Sequence, residues 1–132
     1  MDDGSNVTIE SNTTINGAEF WITEGMNITI GEDCMFAKNI GLRTGEDNAL
    51  GQDYKPLNKG GSISIGNHVW IGANAKIMKG VVIPSGSVIG NASLVTKPLE
   101  EGNAIYAGTP TKLIKSNIYW YRDKKYRLLD RL

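Results

Sequence analysis

One histidine and one cysteine in 132 residues exclude more chemistry than any motif the chain contains. Cys34 alone rules out an internal disulfide and a thiolate zinc cluster, and His68 alone cannot supply the two or three imidazoles of a typical catalytic zinc site. No metal is expected. No apolar run approaches the roughly 20 residues of a membrane-spanning helix, and no basic-then-apolar leader opens the chain, so a soluble cytoplasmic protein is the expectation. An excess of one charge is missing too. Lys plus Arg number 14 and Asp plus Glu number 14, so no global field favours nucleic acid or an anionic membrane, and any basic site must be local. The length suits one domain with one core.

What the chain has instead is glycine, 16 residues in all, and an aliphatic set of 15 Ile, 9 Leu and 6 Val. That mixture reads as short strands separated by turns. Ile65, Ile71, Ile77, Ile83, Ile89 and Val95 recur six apart without a break. The fifth place of each hexad is small or apolar (Val69, Ala75, Val81, Ser87, Ser93, Leu99), and the second holds Gly66, Gly72, Met78, Pro84, Gly90 and Thr96. An α-helix would scatter positions six apart around its axis, and a flat strand would not tolerate glycine and proline at turn-sized intervals. One short strand and one corner per hexad, with three hexads closing a triangular coil of 18 residues, satisfy the pattern. Ile65 is then expected beneath Ile83, Ile71 beneath Ile89 and Ile77 beneath Val95, at a strand spacing of about 4.8 Å. Each aliphatic buried in such a ladder contributes roughly 1.5–3 kcal/mol. Glycine and asparagine at the corners are expected to supply positive φ.

Upstream, Ile30, Phe36 and Leu42 continue the period with Cys34 and Ile40 in fifth places, and Ile9, Ile15 and Trp21 form an earlier, irregular run. Cys34 therefore reads as a packing residue rather than a nucleophile. Register breaks twice, with nine residues from Trp21 to Ile30 and 23 from Leu42 to Ile65. The second break contains the polar, Gly-rich segment 44–62, a loop thrown out from the prism in the kind of position where function concentrates. After Lys115 the period gives way to SNIYWYRDKKYRLLDRL, which predicts a short helical or extended tail closing the open end. The expected organisation is one domain over 1–132, made of N-terminal coils 1–43, the extruded loop 44–62, regular coils 63–100 and a C-terminal cap or tail 101–132.

Three blocks, IGEDCMFAKNIGLRTG, SIGNHVWIGANAKIMKGVVIPSGSVIGNASLVTK and YAGTPTKLIK with NIYW after it, resemble the hexapeptide-repeat acyltransferases, and among them the bacterial sugar, capsule and lipopolysaccharide O-acetyltransferases. The resemblance covers about residues 28–120. It implies an all-β fold, a left-handed parallel β-helix, contrary to the right-handed rule for parallel crossovers. It also implies a homotrimer with acetyl-CoA in a groove between neighbouring prisms and a carbohydrate hydroxyl as acceptor, with no nucleic-acid partner. Carried over residue by residue, Thr96 and Lys97 in LVTK and Lys112 and Lys115 in AGTPTKLIK hold the cofactor and its phosphates. Ala73, Asn91 and Ala92 run beside the pantetheine arm, and Ala107 and Gly108 bring backbone close to the cofactor. Trp70 in HVWIG matches a tryptophan beside the acceptor pocket, where an indole can stack on a sugar face.

Acyl transfer to a hydroxyl needs a base for its proton and donors for the thioester oxyanion. The family places a histidine shortly after a stretch like Arg43-Thr44-Gly45, and here that place holds Asn48, whose amide has no pKa near neutrality. Asp47, Glu46 and His68 are the remaining candidate bases. Three readings stay open: a transferase using one of these bases, a coenzyme-A-binding relative with impaired catalysis, and a non-catalytic structural trimer. A pure scaffold, however, has no use for the basic cluster.

Overall fold

The computed structural model describes residues 4, 6–45, 52–53 and 60–122. Among them thirteen strands form three sheets, and there is no helix. The first sheet stacks β1 (Asn6–Ile9), β3 (Asn27–Ile30), β6 (Ile63–Ile65) and β9 (Val82–Ile83). The second stacks β4 (Met35–Phe36), β7 (Trp70–Ile71), β10 (Val88–Ile89), β12 (Ile105–Gly108) and β13 (Thr111–Lys115). The third stacks β2 (Glu19–Trp21), β5 (Gly41–Arg43), β8 (Lys76–Ile77) and β11 (Leu94–Val95). Consecutive strands never pair until the last two. Each hexad supplies one wall of a triangular coil, and every strand pairing is parallel except β12 with β13.

The ladders run as the period requires. Ile65 pairs with Ile83, Ile71 with Ile89 and Ile77 with Val95. One coil lower, Ile30, Phe36 and Leu42 extend the same three columns, so the 44–62 segment leaves the wall register intact. These side chains are buried, and the fifth-place Cys34, Ile40, Val69, Ala75, Val81, Ser87 and Ser93 fill the space between columns. The Cys34 thiol donates to the Gly66 carbonyl at 3.2 Å, and burial raises its pKa, which suits packing rather than nucleophilic attack.

Two details differ from the expected pattern. Phe20, not Trp21, lies beneath Leu42, while Trp21 pairs with Arg43 and turns outward. A one-residue shift on a strand exchanges its faces, and the Arg43 guanidinium then stands 4.7 Å over the outward indole. The second difference concerns glycine. Positive φ falls in the fourth place of the five hexads from Ile65 to Ile89, at His68, Asn74, Gly80, Gly86 and Ala92, and not at the second-place glycines Gly66 and Gly72. Those two make room instead. A methyl added at Gly66 would lie 2.6 Å from Ser85 Oγ, and one at Gly72 would lie 2.4 Å from Asn91 Oδ1. Both oxygens accept a 2.9 Å hydrogen bond from the next corner amide below, that of Asn67 and of Ala73 respectively. A missing side chain on one coil thus lets the coil above cap its corner.

The long insertion is pinned where it leaves and re-enters the prism. The Gly61 amide donates to the Thr44 carbonyl at 2.7 Å, and the buried Thr44 hydroxyl accepts from the Thr23 amide at 2.8 Å. At the other end of the chain β13 folds back along β12 and covers its edge, so the tail is extended there rather than helical.

Candidate functional site

One corner of the prism joins the second sheet to the third. Ala73 and Asn91 with Ala92 occupy it in successive coils, and Ala107 with Gly108, the end of β12, lie above them. The Ala92 amide donates to the Ala73 carbonyl at 2.7 Å, and the Gly108 amide donates to Ser93 Oγ at 3.3 Å. A methyl added at Gly90 would meet Ala107 Cβ at 2.9 Å, so the coils touch through their smallest residues. The three residues expected beside the pantetheine arm, Ala73, Asn91 and Ala92, therefore share one column with Ala107 and Gly108, the two expected to bring backbone close to the cofactor, and no large side chain among them covers the backbone.

Two residues beyond Gly108 the chain enters the lining of a cavity of about 340 Å³, formed by Thr96, Lys97, Pro98 and Leu99 together with Pro110, Thr111 and Lys112. It joins Thr96, Lys97 and Lys112, three of the four residues assigned to the cofactor's polar end. Two ammonium groups and two hydroxyls at one mouth suit a phosphate. Lys115 is not among them. It pairs with Ile105 at the far end of β13, three residues from Lys112 and so about 10 Å along the strand.

Trp70 projects from β7 with 38% of its surface exposed, between Met35 and Val88 on the outer face of the second sheet. His68 lies at the preceding corner in the fourth-place, positive-φ conformation. Its Nδ1 is 2.7 Å from Asp33 Oδ2 and its Nε2 is 2.7 Å from the Trp120 carbonyl. Each ring nitrogen faces an acceptor oxygen, which leaves none open to a substrate hydroxyl. The geometry therefore gives His68 a joining role rather than that of a base. Asp47 and Asn48, the other catalytic candidates, lie outside the described residues, as does Glu46.

Asp33 holds the centre of this joint, accepting from His68 and from Arg122 Nε at 2.9 Å. Burial pushes its carboxyl pKa up, but the hydrogen bonds from His68 and Arg122 and their charges outweigh that and leave it below the usual 3.8. A carboxylate whose folded pKa is depressed stabilises the fold above its unfolded pKa, and that contribution disappears as pH falls through the folded value. The native chain is therefore expected to be more stable than Asp33→Asn at pH 7, with the difference closing below about pH 4. Urea denaturation at stepped pH measures it, and a gap that does not change with pH would remove Asp33 from the account. Sequence reasoning missed Asp33 and Arg122 altogether. Nothing in the hexad pattern signals them, because their partner is the aperiodic tail.

Comparison with known proteins agrees with the fold. Residues 62–97 match the model of the bacterial transferase hexapeptide family, described as six repeats. The chain is 42% identical over 129 residues to a polysialic acid O-acetyltransferase of Escherichia coli O1:K1 / APEC, a match covering 96% of this chain and 42% of that protein. It is 36% identical over 133 residues to the galactoside O-acetyltransferase of Escherichia coli strain K12, covering 96% of this chain and 61% of that one. A solved polysialic-acid-specific acetyltransferase superposes with a TM-score of 0.85 at 41% identity, over 98% of this chain and 60% of the other. The prism is thus the left-handed parallel β-helix. The chain spans between 42% and 61% of the length of these two curated relatives.

Proposed function

Because this chain belongs to the hexapeptide-repeat transferases, we propose that it transfers an acetyl group from acetyl-CoA to a hydroxyl of a carbohydrate. The observation that carries the reading is the Lys97–Lys112 cavity, whose Pro110 lies two residues along the chain from Gly108 of the small-residue column. An extended molecule with a phosphate-bearing end and a slender amide-bearing arm fits such a surface. The lysines hold the phosphates, and the column, from Ala107 down to Ala73, accommodates the arm. Bound acetyl-CoA supplies an activated thioester. Trp70, one strand before the lower end of the column, offers an indole face to the sugar. The two curated relatives named above, on polysialic acid and on a galactoside, define the first acceptors to try. The working unit in this reading is a homotrimer, with each groove completed by a neighbouring copy.

Asn48 favours a second reading, a relative that binds coenzyme A and turns over slowly, since an amide cannot take the acceptor's proton. Both readings require the cofactor. Titration calorimetry is expected to show saturable binding of coenzyme A and acetyl-CoA, about one per subunit. Charge-assisted hydrogen bonds contribute roughly 1.5–3 kcal/mol each, so Lys97→Ala with Lys112→Ala is expected to weaken binding at least about tenfold. No heat of binding from a folded protein would sink both readings and leave a structural β-helix.

A further inference from the structure

After β13 the chain returns across the outside of the prism and fastens to it at several levels. The Ile118 amide donates to the Asn103 carbonyl at 2.9 Å. Trp120 is only 6% exposed although Tyr119 and Tyr121 on either side of it are exposed. It lies flat on the His68 imidazole, with ring centroids 3.8 Å apart and planes 6° apart. Its indole Nε1–H donates to the His68 carbonyl at 2.8 Å, while its own carbonyl is the oxygen facing His68 Nε2. One residue is thus held through ring face, ring edge and backbone. Beyond it Arg122 spans the two lowest coils, reaching Asp33, Thr14 Oγ1 and the carbonyls of Asn12 and Cys34.

The remaining contact of Trp120 is with Trp70, at a centroid separation of 5.8 Å and a tilt of 46°, within the range of a favourable aromatic pair. Trp70 needs such a neighbour. It projects from a two-residue strand whose other side chain, Ile71, points into the core, and only Met35 and Val88 flank it within the sheet. An indole left to rotate there must be frozen when a ligand stacks on it, and that loss of freedom weakens binding by roughly 3- to 10-fold per side chain.

We propose that Trp120 is a positioning residue: the C-terminal tail delivers a clamped indole that holds Trp70 in the orientation in which it receives the acceptor. The proposal rests on the reading of Trp70 as the acceptor wall. The tail is then part of the site's specificity as well as a cover for the sheet edge.

The test uses the full chain labelled with ¹⁵N, the Trp70 indole N–H resonance being assigned by its loss in Trp70→Phe. In Trp120→Ala that resonance is expected to broaden or split, and in Trp120→Phe, which keeps an aromatic ring against both His68 and Trp70, it is expected to stay single and sharp. Arg122→Ala, which releases the tail without touching either ring, is expected to broaden it too and serves if Trp120→Ala does not fold. A sialic acid tetramer and a simple β-galactoside are then titrated in the presence of coenzyme A. The probe that moves the native Trp70 resonance is expected to need about 3- to 10-fold higher concentration in Trp120→Ala and near-native concentration in Trp120→Phe, while coenzyme A affinity is unchanged in both. A single sharp Trp70 resonance in a folded Trp120→Ala, or equal loss of probe and coenzyme A affinity, overturns the positioning role. Broadening in Trp120→Ala combined with a native Trp70 resonance that neither probe moves would instead overturn the assignment of Trp70 to the acceptor and leave the clamp as a purely structural contact.

Discussion

Alanine at Gly72 is expected to destabilise the fold by about 1–3 kcal/mol and to weaken coenzyme A binding at least tenfold, whereas alanine at Gly66 has the first effect without the second. The two glycines occupy equivalent second places on neighbouring hexads and neither has a positive φ, so backbone strain does not separate them. What separates them is the corner. At Gly72 the new methyl would lie 2.4 Å from Asn91 Oδ1 and 2.7 Å from Asn91 N, displacing the residue that caps the Ala73 amide in the column proposed for the cofactor. At Gly66 it would press in the same way on Ser85, 2.6 Å from Oγ and 2.7 Å from N, but at the corner between the first and second sheets. Contacts with backbone atoms cannot be relieved by a rotamer change, so each coil must lift from the next. Urea denaturation compares the two stabilities, and calorimetry with coenzyme A compares the sites. Equal loss of binding in both variants would mean that the column is not the cofactor wall.

The six-residue period makes the ladders legible in the sequence, because burial at first and fifth places is a property each hexad repeats independently. Ile65 beneath Ile83 and Ile71 beneath Ile89 needed only counting. The first coil was less legible. Trp21 sits where the count places an inward residue, yet the step from Ile15 is one residue short, five rather than six, which turns Phe20 inward in its place, and periodicity cannot register a shift of one when the segment is a single coil long. Glycine and asparagine do supply positive φ at corners such as Asn74, Gly80 and Gly86, but not every corner glycine is there for its φ. A residue name does not distinguish a glycine needed for its φ, such as Gly80, from one needed for the space it leaves, such as Gly72, whose reason lies 19 residues away at Asn91. Of the candidate site, the column and three of its four polar residues follow from repeat and resemblance together. Lys115 and the Asp33–His68–Trp120–Arg122 joint depend on where an aperiodic tail runs, which is settled by packing between segments up to 89 residues apart.

Asn48→His is expected to raise kcat for a carbohydrate acceptor by roughly 10²- to 10⁴-fold, the usual contribution of a well-placed general base. In the transfer, the acceptor oxygen bonds to the thioester carbonyl carbon, the carbon–sulfur bond breaks and coenzyme A leaves as its thiolate, so one proton must be taken from the hydroxyl and one returned to sulfur. An amide at Asn48 does neither. Imidazole does both near neutrality, and since only its neutral form accepts the proton, the restored activity is expected to rise with pH through about 6.5. His68 offers no substitute, with Asp33 on one ring nitrogen and the Trp120 carbonyl on the other. Asp47 is the competing candidate, and Asp47→Asn in both backgrounds separates the two. If Asn48→His leaves kcat unchanged and Asp47→Asn abolishes it, the carboxylate is the base and the native chain is a working transferase. If the histidine restores turnover while Asp47→Asn has little effect in either background, the native chain is a coenzyme A binder whose chemistry was lost at a single position. Steady-state kinetics with acetyl-CoA and the sialic acid tetramer, followed by thiol release across pH 5.5–8.5, measures the four variants side by side.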